Sequence, residues 1–263
     1  MTDRDVLYKK RGHVALLTIN RPEVLNAFRH STIVSLLCSL EKAALDGSIR
    51  VVVITGAGRA FSAGVDLKEL ADGSPLASQG TTRARLEQTQ ELTRRMTRLP
   101  KVTVAAVNGP AVGLGAELCV AADIRIAADT AMFSFPEVKR ALLPTNGITY
   151  LLPQVVGLSR AMDWLLSGET ISIQEAVTAG LVTHTASTDS LLEDAMQYAK
   201  AIAGNAPRSV RLVKQLLHRA LTIELDAALE YELVRTLECL KTNDAKEGVR
   251  AFFEKRTPSY TDK

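Results

Sequence analysis

The sequence predicts an α/β core over residues 1–204 and an all-helical subdomain over residues 205–263. Three observations predict it. Apolar, β-branched runs at Val51–Thr55 and Val102–Val107 each break at a glycine turn and pass into a helix-like segment, the strand, turn and helix alternation of an α/β chain. Past Ser190 that alternation stops and helical segments follow one another. With 46% hydrophobic and 23% charged residues in 263, the chain can bury a sizeable core.

Taken in order, His13 to Asn20 alternates as a first strand and is closed by Arg21-Pro22. Leu25 to Leu45 carries Val34, Leu37, Leu40, Ala44 and Leu45 at helical spacing. The strand at Val51 leads into GAGRAFSAGVDLKEL, Gly56 to Leu70, which ends in a short helix. Ala71 to Thr82, rich in Gly, Ser and Thr, reads as a loop or mobile flap. Thr81 to Leu99 reads as a helix with Arg83, Arg85, Arg94, Arg95 and Arg98. Glu87 and Glu91 interleave with them at pairing distance, which marks a solvated face rather than an RNA-binding one. After Val107 the chain breaks at Asn108, Gly109 and Pro110, and Gly113 and Gly115 precede a helix over Ala116–Ala122. Pro136 biases Phe135 towards an extended conformation. Two short helices are expected at Ser159–Ser167 and Ser172–Ala179, the second with Ser172 as N-cap and Glu175 three residues on. Gly180 separates it from a strand at Leu181–His184. Gly204, Asn205 and Pro207 mark the boundary between the helix Leu191–Gly204 and the helices Pro207–Ala220, Glu224–Leu240 and Asn243–Glu254.

The two glycine turns carry the chemistry. A helix start leaves backbone N–H groups without intrahelical partners and sets the positive end of the helix dipole beside them. Glu117 falls three residues beyond Leu114, one helical turn on, where its carboxylate can face the same pocket. Glu137 follows at the end of SFPE. Two carboxylates near an oxyanion-type donor are parts for acid/base chemistry. A dinucleotide fingerprint is excluded, because G-x-G-x-x-G from Gly113 needs glycine where Leu118 stands.

In register, RAFSAGVDLKEL, NGPAVGLGAELCVAADIRIA, FSFPE and AFFEKR resemble the enoyl-CoA hydratase/isomerase (crotonase) family, in the family's order and across nearly the whole chain. The resemblance implies a crotonase-like ββα spiral core. It implies an oxyanion hole made by the backbone amides of Val65 and Leu114, with Glu117 and Glu137 as catalytic residues that handle a water, Glu137 protonating C2 of the acyl chain. It implies coenzyme A contacts at Arg59, Ala63, Asp66, Leu67, Lys68 and Lys255, and an acyl pocket bordered by Asn146 and Gly147. Family hydratases are glycine-rich where this chain has Thr145, Asn146, Gly147 and Ile148. Hydration of a 2-enoyl-CoA is the first expectation, with double-bond isomerisation as the alternative and a non-catalytic or RNA-binding role as a third. No separate cofactor is implied, coenzyme A being part of the substrate. A homotrimer or hexamer packed through the C-terminal helices is implied as well.

The remaining composition narrows the setting. A formal net charge of +3 suits a polyanionic ligand and is too small to point to nucleic acid. Cys38, Cys119 and Cys239 are odd in number and far apart, as expected of reduced thiols in a cytoplasmic protein. Neither they nor His13, His30, His184 and His218 show a metal-binding spacing. No run is long enough to span a membrane, so membrane partners are not expected.

Overall fold

The computed structural model describes residues 5–71 and 79–262. Strand β1 (Val6–Arg11) pairs antiparallel with β2 (Val14–Ile19), Val6 lying opposite Ile19. The sequence reading missed β1, and the reason is its place. Lys9, Lys10 and Arg11 are exposed on the outermost strand, and charges on an edge discourage pairing with another chain while masking the apolar alternation. Helix α1 (His30–Leu45) starts five residues later than expected, because Leu25 and Asn26 adopt left-handed backbone angles and form a turn.

Strand β3 (Val51–Gly56) is buried throughout. It is followed by α2 (Leu67–Ala71) and α3 (Gln79–Arg98). Of the loop expected over Ala71–Thr82, residues 72–78 lie outside the described residues, and the rest belongs to these two helices. Next come β4 (Val102–Val107), fully buried, the two-residue β5 (Ala111–Val112), α4 (Leu114–Ala121), β6 (Ile124–Ala128) and β7 (Met132–Ser134). Helix α5 (Ile148–Val156), absent from the expected elements, carries Pro153 inside it. After α6 (Leu158–Ser167) and β8 (Thr170–Ser172), α7 (Ile173–Thr178) is capped by Ser172, whose Oγ accepts the Glu175 N–H at 3.2 Å. The Glu175 carboxylate turns instead to the Trp164 indole N–H, 2.8 Å away. Strand β9 (His184–Ala186) and α8 (Leu191–Ala203) complete the core.

Among the described residues the main sheet runs β1-β2-β3-β4-β6-β9, parallel from β2 onward. A small sheet, β5-β7-β8, stands beside it. Parallel strands buried on both faces read as continuous Val, Ile and Ala runs, as β3 and β4 do. One face is covered by α8, which packs on β2, β3, β4, β6 and β9.

The chain ends in α9 (Pro207–Ala220), α10 (Leu225–Leu240) and α11 (Asn243–Phe253). The Lys214 ammonium, buried, reaches Asp123 Oδ2 at 2.7 Å and the Lys101 carbonyl at 3.0 Å, pinning α9 to the ends of β4 and β6. Beyond that anchor the helices expose apolar side chains, among them Leu229, Leu233, Leu237, Phe252 and Phe253. Among the described residues no helix is long and apolar enough to cross a membrane.

Candidate active site

The first glycine turn is built by side chains that replace a regular ladder. Asn26 donates to the carbonyls of Ala57 and Ala60 at 2.8 and 2.7 Å and accepts the Arg21 N–H at 2.9 Å. Ser62 Oγ donates to the Asn26 carbonyl at 2.8 Å and accepts the Gly64 N–H at 3.1 Å. Phe28 N–H donates to the Gly64 carbonyl and Asp66 N–H to the Phe28 carbonyl, at 2.7 and 2.9 Å. Val65 is left between them, and among the described residues nothing accepts its amide.

The second turn is held against the first. Asn108 accepts the Gly56 N–H at 3.0 Å and donates to the Gly58 carbonyl at 2.9 Å. Gly113, at φ 51°, donates to the Ser134 carbonyl at 2.8 Å and opens α4. Leu114 is therefore the first helical residue, and its N–H is one of the donors a helix start leaves over. A β carbon on Gly64 would stand 2.7 Å from the Val112 carbonyl oxygen, and one on Gly115 would stand 2.7 Å from that of Ser62. Only glycine permits this approach, which brings Val65 and Leu114 to the wall of one cavity of about 550 Å³.

Both carboxylates line the same cavity. Glu117, one turn into α4, is 2% exposed. Its Oε2 accepts the side-chain amide of Asn146, while Oε1 has no partner among the described residues. Asn146 is positioned by α3, where Thr93 Oγ1 donates to its carbonyl at 2.8 Å and Gln90 to the Thr145 carbonyl at 2.9 Å. Glu137 sits in a 3₁₀ turn, Pro136–Arg140, that Pro136 initiates. Gly113 leaves room for it, since a β carbon there would come within 2.8 Å of Glu137 Oε1. Glu137 Oε2 and Asn146 Oδ1 are, like Glu117 Oε1, buried without partners among the described residues. Burial raises the Glu117 carboxyl to about 7, opposed by the Asn146 amide and assisted by the Glu137 charge. Burial raises Glu137 also, with nearby Arg140 pulling the other way. Unpartnered buried polar atoms at this density mark a place for water or a ligand.

Of the other residues the sequence reading singled out, Ala63 and Leu67 line the cavity. Asp66 is paired with Arg21 at 3.1 Å. Arg59 and Lys68 are exposed and stand outside the cavity lining, and Lys255 is exposed just past α11 in a left-handed conformation. Gly147 does not line the cavity either; it caps α5 at φ 79°. The reading missed Phe28, the α3 residues Thr82, Arg85, Leu86 and Thr89, and the wall segment 141–144. The i, i+3, i+4, i+7 spacing along α3 was the signal for the helix residues. Among the described residues no group of three or more His, Cys, Asp or Glu is placed to hold a metal.

The model of the family Enoyl-CoA hydratase/isomerase matches residues 9–263. The chain belongs to the enoyl-CoA hydratase/isomerase family. It is 38% identical over 256 residues to the 2,3-dehydroadipyl-CoA hydratase of Escherichia coli K12, covering 97% of this chain and 98% of that one. It is 35% identical to the short-chain-enoyl-CoA hydratase of Clostridium acetobutylicum, with 96% and 95% covered. An isomerase is also among its relatives, the 1,2-epoxyphenylacetyl-CoA isomerase of E. coli K12, at 37% identity with 95% of each chain covered. Among solved structures, the enoyl-CoA hydratase of Bacillus anthracis superposes with a TM-score of 0.94 at 34% identity, covering 98% of this chain and all of that one. The mixed core and helical C-terminal region are the family's crotonase fold.

Proposed function

We propose that this family member is an enoyl-CoA hydratase that adds water across the 2,3 double bond of an acyl-CoA thioester at the Val65, Leu114, Glu117 and Glu137 site. The observation that carries the reading is the gathering of three unpartnered acceptors, Glu117 Oε1, Glu137 Oε2 and Asn146 Oδ1, in the cavity that Val65 and Leu114 also line. A water held there has acceptors for both its protons.

The thioester oxygen would take the amides of Val65 and Leu114, donors already fixed by the fold and needing no reorganisation. Polarising the carbonyl makes C3 electrophilic. The water oxygen then bonds to C3, one carboxylate takes the water's proton, and C2 receives a proton from the other carboxyl as the enolate collapses. Raised carboxyls suit both roles: Glu117, at about 7, can give or accept a proton at neutral pH, and burial shifts Glu137 in the same direction. Glu137, beside Gly113, is the assigned donor to C2.

Double-bond isomerisation is the second reading, in keeping with a family named for hydratases and isomerases and with the amide of Asn146, which already occupies one oxygen of Glu117. It needs a single carboxylate to carry a proton between carbons. Crotonyl-CoA and a 3-enoyl-CoA, incubated separately with the protein in heavy-oxygen water, separate the two. Solvent oxygen in a 3-hydroxyacyl-CoA supports hydration; conversion of the 3-enoyl thioester to its 2-enoyl isomer without oxygen uptake replaces it with isomerisation.

Arg59, Asp66, Lys68 and Lys255 are assigned to coenzyme A on motif position, beside the cavity residues Ala63 and Leu67. The helices after residue 204 are assigned to oligomerisation as a trimer or hexamer, a role their exposed leucines and phenylalanines support. A cytoplasmic location is in keeping with three unpaired cysteines.

A further inference from the structure

The cavity carries a charge that chemistry at C2 and C3 does not use. Arg85 is half-buried on α3 and lines the same cavity as the two glutamates. Three other arginines of the helix are paired: Arg83 with Glu87 at 2.8 Å, Arg95 with Glu91 at 2.8 Å and with Glu41, and Arg94 with Glu91 at 3.7 Å, whereas Arg98 lines a different cavity. Among the described residues no carboxylate lies within ion-pair distance of Arg85. Glu69, another acid in the lining, is engaged with the His30 backbone N–H at 3.0 Å, and Arg140 adds a second cation near Glu137. The same lining holds Ile33, Leu86, Leu142 and Leu143, with Thr82 and Thr89 one helical turn either side of Arg85 on α3.

Its position along α3 says which part of a substrate it would meet. Thr93 and Gln90 hold the Asn146 end of the site, and Arg85 lies eight and five residues earlier on the helix. At about 1.5 Å of rise per residue that is roughly 8–12 Å further along, and helical side chains lean towards the N-terminus, away from the reacting carbons. A half-buried guanidinium without an ion pair among the described residues favours a carboxylate, which it can bind through two parallel hydrogen bonds. Arg59 and Lys68, the motif positions assigned to the coenzyme A phosphates, lie outside the lining that holds Arg85.

We propose that Arg85 binds a carboxylate at the far end of the acyl chain, so that the favoured substrates are CoA thioesters of short unsaturated dicarboxylic acids. This rests on the reading of the cavity as an acyl-CoA site. Calorimetric titration of the intact protein with the CoA thioesters of hexanedioic and hexanoic acid tests it without requiring turnover, so that failure of the hydration assay is a separate result. The wild-type protein is expected to bind the dicarboxylic thioester roughly tenfold more tightly or better, with a ratio near one in Arg85→Met and an intermediate ratio in Arg85→Lys. A wild-type ratio of one overturns the proposal. So does a ratio that survives in Arg85→Met, and so does an equal loss of both thioesters, which would place Arg85 on the coenzyme A portion.

Discussion

Asn146 donates its side-chain amide to Oε2 of Glu117 and keeps its own Oδ1 buried without a partner among the described residues. The donated hydrogen bond favours the ionised carboxylate and works against the burial that raises Glu117 to about 7. In Asn146→Ala that opposition disappears. The acidic limb of the kcat/KM profile, which marks ionisation of the general base, is expected to move to higher pH, with a fall in rate at neutral pH. A limb that stays in place shows that Glu117 is not the base whose ionisation is seen.

Glu117→Gln separates catalysis from stability. The folded carboxyl titrates at about 7 against 4.5 in the unfolded chain, so it favours folding fully below pH 4.5 and loses that contribution as pH rises through 7. To order of magnitude the lost contribution is about 3 kcal/mol. The variant, neutral throughout, is expected to lose two to four orders of magnitude in hydration, roughly the worth of a general acid or base. Urea melts between about pH 5 and pH 8 should show a flatter decline in stability than the wild type. Equal slopes would remove the buried ionisation from the account.

Glu137→Gln tells whether both carboxylates act. If the proton for C2 comes from Glu137, this variant too loses hydration by about two to four orders of magnitude while still binding an acyl-CoA in calorimetry. Near wild-type turnover of a 3-enoyl-CoA in one of the two glutamine variants would instead identify a single-carboxylate isomerase.

Gly64→Ala places a methyl group 2.7 Å from the Val112 carbonyl oxygen, at a backbone φ of 89° that suits glycine alone. The two turns must then part. A loss of about 1–3 kcal/mol in stability is expected, with kcat falling more than acyl-CoA affinity, because the Val65 and Leu114 amides separate. An unchanged kcat in a folded variant would detach those amides from catalysis.

Lys214→Met leaves the half-buried Asp123 beside Thr103 and His218 without its ammonium partner. Breaking a buried pair from one side costs about 3–5 kcal/mol, and the double variant with Asp123→Asn is expected to recover part of it. Denaturant melts of the two singles and the double measure the coupling; additive losses would mean that the pair does not anchor α9.

The parts of this architecture written in local pattern were legible. Val51–Thr55, Val102–Val107 and the helices from Leu191 onward follow from hydrophobic period, and the Ser172 cap from its spacing to Glu175. The family motifs indicated Val65, Leu114, Glu117 and Glu137, all of which the fold brings to one cavity. Less legible was whatever depends on long-range contact. Strand β1 is specified by pairing with β2 more than by its own residues. Asn146 reads as a turn residue until α3 is seen to hold it over Glu117, and Gly147, its neighbour in sequence, faces elsewhere. Arg85 looked like one more surface arginine because sequence shows which glutamates are at pairing distance but not which arginine turns inward.

The contact between Gly64 and Val112 also sets when the site comes into being. The two amides belong to segments separated by α2, α3, β4 and β5, and neither has its geometry until the turns dock. Helix α4 can form earlier from local interactions without making the proposed place for the thioester oxygen. During refolding, recovery of turnover is therefore a clock for that docking, and it runs behind the return of helical signal by the time the two halves of the core need to find each other.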